Sequence, residues 1–381
     1  MKMKVAIFGT NYASTPPDGK QIYAPLNLAW YLTEGLVKKG HKVFLFGSSD
    51  SKTSATLISN GLPSFDKNKE WSRALKKLVE KENLVIKGKH EFMWATKWKE
   101  VLRENYELML AVKLQEMAQK GMFDVIQFHS PLRVLHFTQS IKIPVFFTMH
   151  DPVMHPFGSG TVKTIAESFK KVNFVSISNA QRKPAPKINW TETIYNGTDT
   201  NQFKFSGKEG GYLAFAGRVV PQKGLDIAVR VAQKTNKRLK IAGPINAEYQ
   251  SYWDKEIKPH LSSKITYEGI IPLNKIQKFY QEAEALLMPI KWAESFGLVM
   301  TEAMACGTPV IAFNKGSIPE VIKNNKTGFV VKNEKQIIKA VKKIDTIARQ
   351  DCREWVEDNF SIENMVNNYE KLYLKTLKCK K

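Results

Sequence analysis

Short apolar segments rich in Val, Ile and Phe alternate with longer amphipathic segments along most of the chain. This alternation is typical of strand and helix units that build a parallel sheet. In one helical segment Leu28, Leu32 and Leu36 recur at every fourth position, and Gly40 ends the pattern. Strands are predicted at 5–8, 42–46, 124–128, 145–149, 173–177 and 193–195, and again at 212–216, 239–242, 265–268, 285–288, 310–313 and 328–331.

The series of strands restarts after a polar segment, 205–211, that contains three glycines. We therefore predict two Rossmann-like, doubly wound α/β domains at 1–205 and 206–360, followed by a helix at 361–381 that packs back on the first domain. Such domains bind ligands at the carboxyl ends of their parallel strands. Two of them facing each other enclose a central cleft.

The segment 67–120 shows no strand pattern and many charges, so we predict a helical insertion in the first domain. It carries the aromatic residues Trp71, Phe92, Trp94, Trp98 and Tyr106. One interpretation is a surface that meets an acceptor or a membrane. The other is a solvated helical pair whose aromatic side chains pack inward.

The chain has 381 residues, 43% of them apolar and 25% charged, which is typical of a folded protein with room for two cores. The apolar run at the N-terminus is short for a signal peptide, and no window approaches the roughly 20 apolar residues of a membrane-spanning helix. The three widely spaced cysteines form neither a disulfide framework nor a zinc motif. We therefore expect a cytoplasmic protein.

The formal net charge is +22, from 58 Lys and Arg against 36 Asp and Glu. This excess favours an anionic partner: a nucleotide, a phosphorylated acceptor, an anionic membrane at its inner face, or nucleic acid. The alternative is a lysine-rich surface without such a partner. The basic residues form no recognised nucleic-acid-binding motif, so no specific nucleic acid is expected.

Two glutamates follow the predicted strand 285–288. If a helix begins near Phe296, Glu294 lies at its mouth and Glu302 lies two turns along, about 12 Å away. The free backbone N–H groups of Phe296, Gly297 and Leu298 would then suit a diphosphate. One carboxylate can accept hydrogen bonds from hexose hydroxyls and the other from ribose hydroxyls. Taken singly, each glutamate is better explained as a surface acid or as a charge at a helix terminus.

A basic loop follows the first strand of the second half. Arg218 offers a planar fork for phosphate oxygens, and Lys223 offers a compact positive charge. Gly217 and Gly224 allow the backbone to come close to a ligand. Together these residues can neutralise a departing nucleoside diphosphate.

These motifs resemble those of the retaining, GT-B-fold glycosyltransferases of family four, over nearly the whole chain. The nearest branch is the one around a glycosyltransferase of avilamycin assembly, often described as UDP-glucose-dependent. The motifs that carry the resemblance are the Arg218 and Lys223 loop, the Glu294 and Glu302 pair, and the segments 302–310, 316–321, 176–181 and 194–199.

The resemblance implies a GT-B architecture, with the acceptor in the first domain and the nucleotide-sugar donor in the second. It implies that Arg218 and Lys223 hold the donor diphosphate and that Glu302 binds the ribose. Glu294 would bind the transferred sugar, helped by the backbone from Phe296 to Leu298. His150, after strand 145–149, would approach the donor hexose, although a histidine there could also be a core residue.

The chain departs from the family after its first strand, where relatives carry a Gly-Gly pair near the donor phosphate and the acceptor. Here the segment 16–25 contains only Gly19, so the backbone can approach a ligand less freely. We expect Lys20 to supply by its side chain what the glycines supply elsewhere. Gly19 and Lys20 are therefore candidates for an acceptor or phosphate loop.

The family implies attack by an acceptor hydroxyl on the face from which the diphosphate leaves, without a metal ion or other cofactor. A retaining hydrolase would need two carboxylates about 5 Å apart. A metal site at His150, Asp151 and His155 and a nucleophilic role for Cys306 are disfavoured. The alternatives left open are a sugar-nucleotide epimerase, a glycan phosphorylase and, more distantly, a nucleic-acid-binding protein. The acceptor itself is not predicted.

Overall fold

Two parallel β-sheets, one in each half of the chain, form the centre of the protein. The structure is a computed structural model and describes residues 1–17, 24–71, 73, 77, 90–129, 132–153, 161–208 and 210–379. The first sheet has the order β3-β2-β1-β4-β5-β6-β7, with parallel neighbours throughout. Its strands are β1 (Lys4–Phe8), β2 (Lys42–Phe46), β3 (Thr56–Ile58), β4 (Val125–Phe128), β5 (Val145–Met149), β6 (Asn173–Ser176) and β7 (Trp190–Thr193).

The second sheet has the order β10-β9-β8-β11-β12-β13, and it too is parallel. The strand order reverses between β8 and β11, as it does between β1 and β4 in the first sheet. Both sheets are therefore doubly wound, as predicted. The strands are β8 (Tyr212–Ala216), β9 (Leu239–Ala242), β10 (Ile265–Gly269), β11 (Ala283–Met288), β12 (Val310–Phe313) and β13 (Gly328–Val331).

Helices cover both faces of each sheet, so the central strands are buried on two sides. In β1, Ala6 and Phe8 enter one hydrophobic core whereas Val5 and Ile7 enter the other, as the alternation along a strand requires. The helices are α1 (Ala24–Lys38), α2 (His90–Gln119), α3 (Thr161–Ser168), α4 (Asn179–Arg182), α5 (Leu225–Thr235), α6 (Gln250–Tyr252), α7 (Leu273–Gln281), α8 (Leu298–Ala305), α9 (Ile318–Val321), α10 (Glu334–Val341), α11 (Arg349–Phe360) and α12 (Ile362–Lys378).

The strand predictions are wrong only at the edges of the first sheet. The edge strand β3 was not predicted, and β7 occupies Trp190–Thr193 rather than 193–195. Both edge strands are only partly buried, and neither has the continuous apolar run of a central strand. The strand was predicted too late in the chain because the apolar residues Ile194 and Tyr195 follow β7.

The insertion in the first domain contains the long helix α2. Near its base, the ring of Trp71 lies 5.2 Å from that of Tyr106 and 5.9 Å from that of Phe65, between ring centroids. Tyr106 is fully buried and Trp71 is partly buried against it, as in the inward-packing interpretation. The side chains of Phe92, Trp94 and Trp98 lie outside the described part of the chain. None of the helices in that part combines the length and the hydropathy that a bilayer span requires.

The last helix, α12, packs against α1 of the first domain. Its residues Met365, Val366 and Tyr369 join the hydrophobic core that lies beneath α1. The two helices approach closely at Gly35, where an added Cβ would lie only 2.5 Å from a methyl carbon of Val366. The chain thus crosses to the second domain and returns to the first.

We expect Gly35→Ala to lower the free energy of unfolding by about 1 kcal/mol. Overpacking a tight contact costs about 1–3 kcal/mol, and the better helix propensity of alanine returns up to about 1 kcal/mol. Urea unfolding would measure the loss. The double variant Gly35→Ala, Val366→Ala should recover most of it, because the smaller side chain removes the obstructing methyl groups. A single variant as stable as the wild type would contradict the close approach of α1 and α12.

Candidate functional site

The reversal of strand order between β8 and β11 is where a doubly wound sheet opens a ligand crevice. The loops that follow these two strands lie side by side, and the backbone N–H of Lys291 donates to the carbonyl oxygen of Gln222 at 2.8 Å. Gly224 has a φ of 72°, and a Cβ there would lie 2.1 Å from the carbonyl oxygen of Pro289. Glycine is therefore required at this contact.

The centre of the crevice is an ion pair between the two loops. The Nζ atom of Lys223 lies 2.7 Å from Oε2 of Glu294, and the side chains are only 18% and 14% exposed. Trp292 contacts both partners: Lys223 Nζ lies 5.2 Å from its ring centroid, and its Nε1 lies 3.5 Å from the carboxylate. Burial opposes ionisation of Glu294, but the charge and hydrogen bond of Lys223 outweigh it and lower the pKa of Glu294.

The main chain around Glu294 is held by the loop after β12, the next strand of the sheet. The backbone N–H of Ser317 donates to the carbonyl oxygen of Glu294 at 2.9 Å, and the Ser317 hydroxyl donates to the carbonyl oxygen of Phe296 at 3.1 Å. At Gly316, where φ is 58°, a Cβ would lie 2.2 Å from the carbonyl oxygen of Glu294. Three neighbouring loops therefore position this carboxylate.

The helix that carries Glu302 begins later than expected. It starts at Leu298 rather than near Phe296, because Gly297 takes a left-handed conformation with φ 82°. Phe296 is buried instead, with its ring 5.7 Å from that of Phe360. Glu294 lies outside the helix, so the separation of about 12 Å estimated from helical rise does not apply. The first turn of the helix therefore begins at Leu298, and the backbone N–H of Met300 in that turn donates to the carbonyl oxygen of Gly297 at 2.9 Å.

Glu302 lies in the second turn of α8 in a different environment. It is partly buried, and its Oε2 atom accepts a hydrogen bond from the hydroxyl of Tyr280 at 2.9 Å. Burial raises the pKa of Glu302 to about 7, although the bond from Tyr280 acts in the opposite direction. Burial, the neighbouring Asp199 and, to a smaller extent, the charge of Glu302 raise the pKa of Tyr31, a residue of α1. Glu302 is thus close enough to the first domain for its charge to affect Tyr31, while its carboxylate is bound by Tyr280 of the second domain.

Arg218 lies two residues after the end of β8 and is exposed to solvent. Within the described part of the chain it forms no ion pair with an acidic side chain. It precedes Lys223 in the same loop, which the short 3₁₀ turn Pro221–Lys223 shapes. The structure thus provides one partly buried positive charge, Lys223, and one exposed positive charge, Arg218, beside the crevice.

Two histidines lie at the carboxyl ends of neighbouring strands in the first domain. His129 Nδ1 lies 3.0 Å from His150 Nε2, and the rings stack with centroids 5.3 Å apart. Burial lowers the pKa of His150 to about 3 and that of His129 well below its usual value, where the neighbouring His150 adds to the effect. Both rings are therefore neutral at physiological pH. The side-chain nitrogen of Gln181 holds the loop by donating to the carbonyl oxygens of Met149 and Asp151, each at 2.9 Å.

Several of the predicted candidate residues are either not among the described residues or not part of the site. Gly19, Lys20 and His155 lie outside the described residues. Among those that are described, no three His, Cys, Asp or Glu side chains are grouped so as to hold a metal ion. Cys306 is buried at the end of α8, and burial raises the pKa of its thiol to about 12. That thiol remains protonated and is a poor nucleophile.

Sequence reasoning missed Trp292, Tyr280 and His129. A signal existed for His129, because it follows the predicted strand 124–128 directly, as His150 follows the next strand. Two histidines at the carboxyl ends of neighbouring parallel strands meet at one edge of the sheet. Tyr280 gave no such signal, since it lies within an ordinary amphipathic helix.

Comparison with known proteins gives the second half of the chain a family match. Residues 198–360 match the family model of glycosyl transferases group 1. The chain is 33% identical over 176 residues to an uncharacterized 41.2 kDa protein in the cps region of Klebsiella pneumoniae, covering 44% of this chain and 47% of that protein. It is 32% identical over 124 residues to D-inositol 3-phosphate glycosyltransferase of Mycobacteroides abscessus, covering 31% and 28%. The chain thus spans less than half the length of these relatives.

Solved structures with the same fold cover nearly the whole chain. AviGT4, a glycosyltransferase involved in avilamycin A biosynthesis, matches with a TM-score of 0.67 at 18% identity, over 99% of this chain and 98% of that one. Sucrose-phosphate synthase from Thermosynechococcus elongatus matches with a TM-score of 0.72 at 17% identity, over 99% and 100%. HepE of Anabaena, solved with UDP and glucose, matches with a TM-score of 0.67 at 15% identity, over 97% and 98%. The predicted GT-B fold is confirmed, and with the family match it supports a glycosyltransferase.

Glu302→Gln should change how stability depends on pH. The folded protein holds the proton of this carboxyl up to about pH 7, whereas the ordinary pKa is 4.5. The associated stability is fully present below the ordinary pKa and is lost as the pH rises through the folded pKa. The variant should therefore gain stability relative to the wild type from about pH 5 to about pH 8, as urea unfolding at each pH would show.

Glu354→Gln is the matched control, because Glu354 is exposed and accepts a hydrogen bond from Gln350 of the same helix at 3.0 Å. The pH dependence that remains for Glu302→Gln after that of Glu354→Gln is subtracted belongs to the Glu302 carboxyl. If none remains, burial does not raise the pKa of Glu302.

Proposed function

We propose that the protein is a retaining glycosyltransferase that moves glucose from UDP-glucose to a hydroxyl group of an acceptor. The observation that carries the proposal is the Lys223–Glu294 pair, which lies in the crevice of the second sheet within the segment that matches glycosyl transferases group 1. An ammonium group suits a diphosphate, and a carboxylate suits the hydroxyl groups of a hexose. HepE of Anabaena, whose structure has been solved in complex with UDP-glucose, supports the choice of donor.

Lys223 is held in place before any donor arrives. Its ion pair with Glu294 and its contact with Trp292 restrict the side chain, so less conformational freedom is lost when a diphosphate binds. An ammonium group has three N–H donors and can keep Glu294 while it donates to phosphate oxygens. The exposed Arg218 is assigned to the remaining phosphate oxygens, which its planar fork can bind in pairs.

Glu302 is assigned to the ribose. The Tyr280 hydroxyl uses part of its hydrogen-bonding capacity and leaves further lone pairs for two ribose hydroxyls. Its pKa of about 7 means that the carboxyl is only partly ionised near neutral pH. Hydrogen bonds from the ribose favour the ionised form, so donor binding should lower this pKa.

In the proposed reaction the acceptor oxygen attacks the anomeric carbon on the face from which the diphosphate leaves. The bond between that carbon and the phosphate oxygen breaks, its electron pair goes to the phosphate oxygen, and that oxygen takes the proton of the acceptor hydroxyl. Arg218 and Lys223 stabilise the charge that develops on the diphosphate. In this scheme neither a metal ion nor another cofactor takes part.

His150 is assigned to the donor hexose as a neutral hydrogen-bonding group. Its ring carries no charge at physiological pH, because burial lowers its pKa to about 3. A protonated imidazole beside the anomeric centre would oppose the positive charge that develops on the sugar ring. The neutral ring can bind a sugar hydroxyl without that penalty, while Glu294 supplies a negative charge.

A donor screen without acceptor tests the activity. The protein should release UDP slowly from UDP-glucose, and faster than from other nucleotide sugars, because water can replace the acceptor. A coupled assay for nucleoside diphosphate would measure it. Accumulation of glucose 1-phosphate or of an epimerised nucleotide sugar would instead indicate a phosphorylase or an epimerase. Turnover of no donor, together with salt-dependent DNA binding, would reject the enzyme altogether.

The stereochemical course is a separate prediction. Hydrolysis or transfer from the α-linked donor should first give the α anomer, because attack and departure use one face. Proton NMR of the anomeric signals within the first minutes would distinguish it from the β anomer. Initial formation of the β anomer would show inversion and contradict the proposed mechanism.

Lys223→Met and Glu294→Gln should each lower the rate of donor hydrolysis by at least about 100-fold, the scale on which single groups stabilise developing charge. Glu302→Gln should chiefly weaken UDP binding, measured by calorimetry. The control is Lys237→Met, which breaks an ion pair of the same 2.7 Å length with Glu284 near the start of β11.

Lys237→Met should leave the rate unchanged, because the start of β11 lies at the opposite end of the strand from the crevice. A wild-type rate in Lys223→Met or Glu294→Gln would remove the assignment of that residue. An equal loss of rate in Lys237→Met would indicate that breaking either ion pair lowers the rate through a loss of stability. The position of Lys223 and Glu294 would then not explain the effect.

A further inference from the structure

Two sequence motifs, 176–181 in the first domain and 316–321 in the second, are not explained by donor binding alone. The structure brings them into contact through Glu320. Its carboxylate accepts hydrogen bonds from the backbone N–H of Asn179 at 2.8 Å and of Ala180 at 2.7 Å. It also accepts one from the hydroxyl of Tyr195 at 3.0 Å. One carboxylate of the donor domain thus binds three donors of the first domain.

On the first-domain side, this contact leads to the loop of His150. Gln181, next in the chain to Ala180, is buried, and its side chain donates to the carbonyl oxygens of Met149 and Asp151. Its side-chain oxygen accepts from the backbone N–H of Ile177 at 2.9 Å, which fixes the orientation of the amide. The backbone groups on both sides of His150 are therefore tied to the turn that Glu320 binds.

On the donor side, the same contact leads to Glu294. The backbone N–H of Glu320 donates to the carbonyl oxygen of Ser317 at 2.8 Å. Ser317 in turn binds the carbonyl oxygens of Glu294 and Phe296. Glu320 is thus connected by short hydrogen bonds to the loop that carries the proposed sugar-binding carboxylate.

Tyr195 adds to the contact between the two domains at Glu320. Its ring centroid lies 6.1 Å from that of Phe296, so Tyr195 contacts the loop that carries Glu294 as well as Glu320. Burial and the neighbouring Glu320 charge raise its pKa to about 12, so it remains a hydroxyl donor at physiological pH. A carboxylate that receives three hydrogen bonds forms a stronger contact than a neutral acceptor would.

We propose that Glu320 is a positioning residue that sets His150 of the first domain against Glu294 of the donor domain. This role rests on the proposed glycosyl transfer, because only a reaction between the domains needs both groups in one arrangement. Glu320 does not touch the donor in this role. It determines where the two halves of the site stand relative to each other, and an error of about 1 Å there is costly to catalysis.

Glu320→Gln tests the role, because the amide keeps the size of the side chain but replaces one acceptor oxygen by an NH₂ group. Amide hydrogen exchange at Asn179 and Ala180 should become at least about fivefold faster, since a hydrogen bond to a charged acceptor is stronger than one to a neutral acceptor. The hydrolysis rate of UDP-glucose should fall at least about tenfold, as expected from misplacement of groups distant from the chemistry. The dissociation constant of UDP should change less than about twofold, because UDP is assigned to the donor domain alone.

Two further variants keep the test decisive if Glu320→Gln folds poorly. Tyr195→Phe removes one of the three hydrogen bonds and should give a smaller loss of rate in the same direction. Glu354→Gln, the exposed control in the same domain, should change neither exchange nor rate.

The outcomes separate this role from the proposed function. Faster exchange at Asn179 and Ala180 with an unchanged hydrolysis rate would reject the positioning role and leave the glycosyltransferase proposal standing. A loss of UDP affinity equal to the loss of rate would also reject it, because Glu320 would then act on the donor domain itself. Failure of the wild-type protein to turn over any donor would reject the proposed function, and this role with it.

Discussion

The ion pair between Lys223 and Glu294 is the interaction on which the rest of the proposed donor site depends. Two largely buried charges lose much of their hydration, so the pair needs good geometry and further contacts to persist. It has both: a separation of 2.7 Å and Trp292 in contact with each partner. The surrounding backbone is built around it, because Gly224 and Gly316 stand where any Cβ would collide with neighbouring main chain.

The ionisable groups of the site differ in charge at the same pH, because each lies in a different environment. Lys223 keeps Glu294 ionised, whereas burial leaves Glu302 with a pKa near 7. His150 and His129 are neutral, since burial disfavours their charged forms. Positive charge in the proposed donor site thus lies beside two different carboxyl groups. Glu294 is ionised, and Glu302 titrates near neutral pH. Such a distribution suits an anionic leaving group and a sugar ring that becomes positive.

The two domains are joined by more than the chain that links them. Thr198, near the end of the first domain, donates a hydrogen bond of 2.6 Å to Thr301 on α8, the helix that also carries Glu302. The chain returns through α12, which packs against α1. Together with the hydrogen bonds that Glu320 accepts from Asn179, Ala180 and Tyr195, these connections give the second domain a defined position relative to the loop of His150.

Local pattern was enough to predict the buried central strands and the loops after them, because a strand covered on both faces reads as an apolar run and parallel strands end at one edge. It also identified Lys223 and Glu294 as candidates. It failed where tertiary contacts outweigh local preference: at the half-exposed edge strands, and at the start of α8, where burial of Phe296 and the turn at Gly297 delay the helix. Only the tertiary structure decided which candidates meet. Lys223 and Glu294 lie 71 residues apart, and Glu320 and Asn179 lie 141 apart, so no local pattern could pair them.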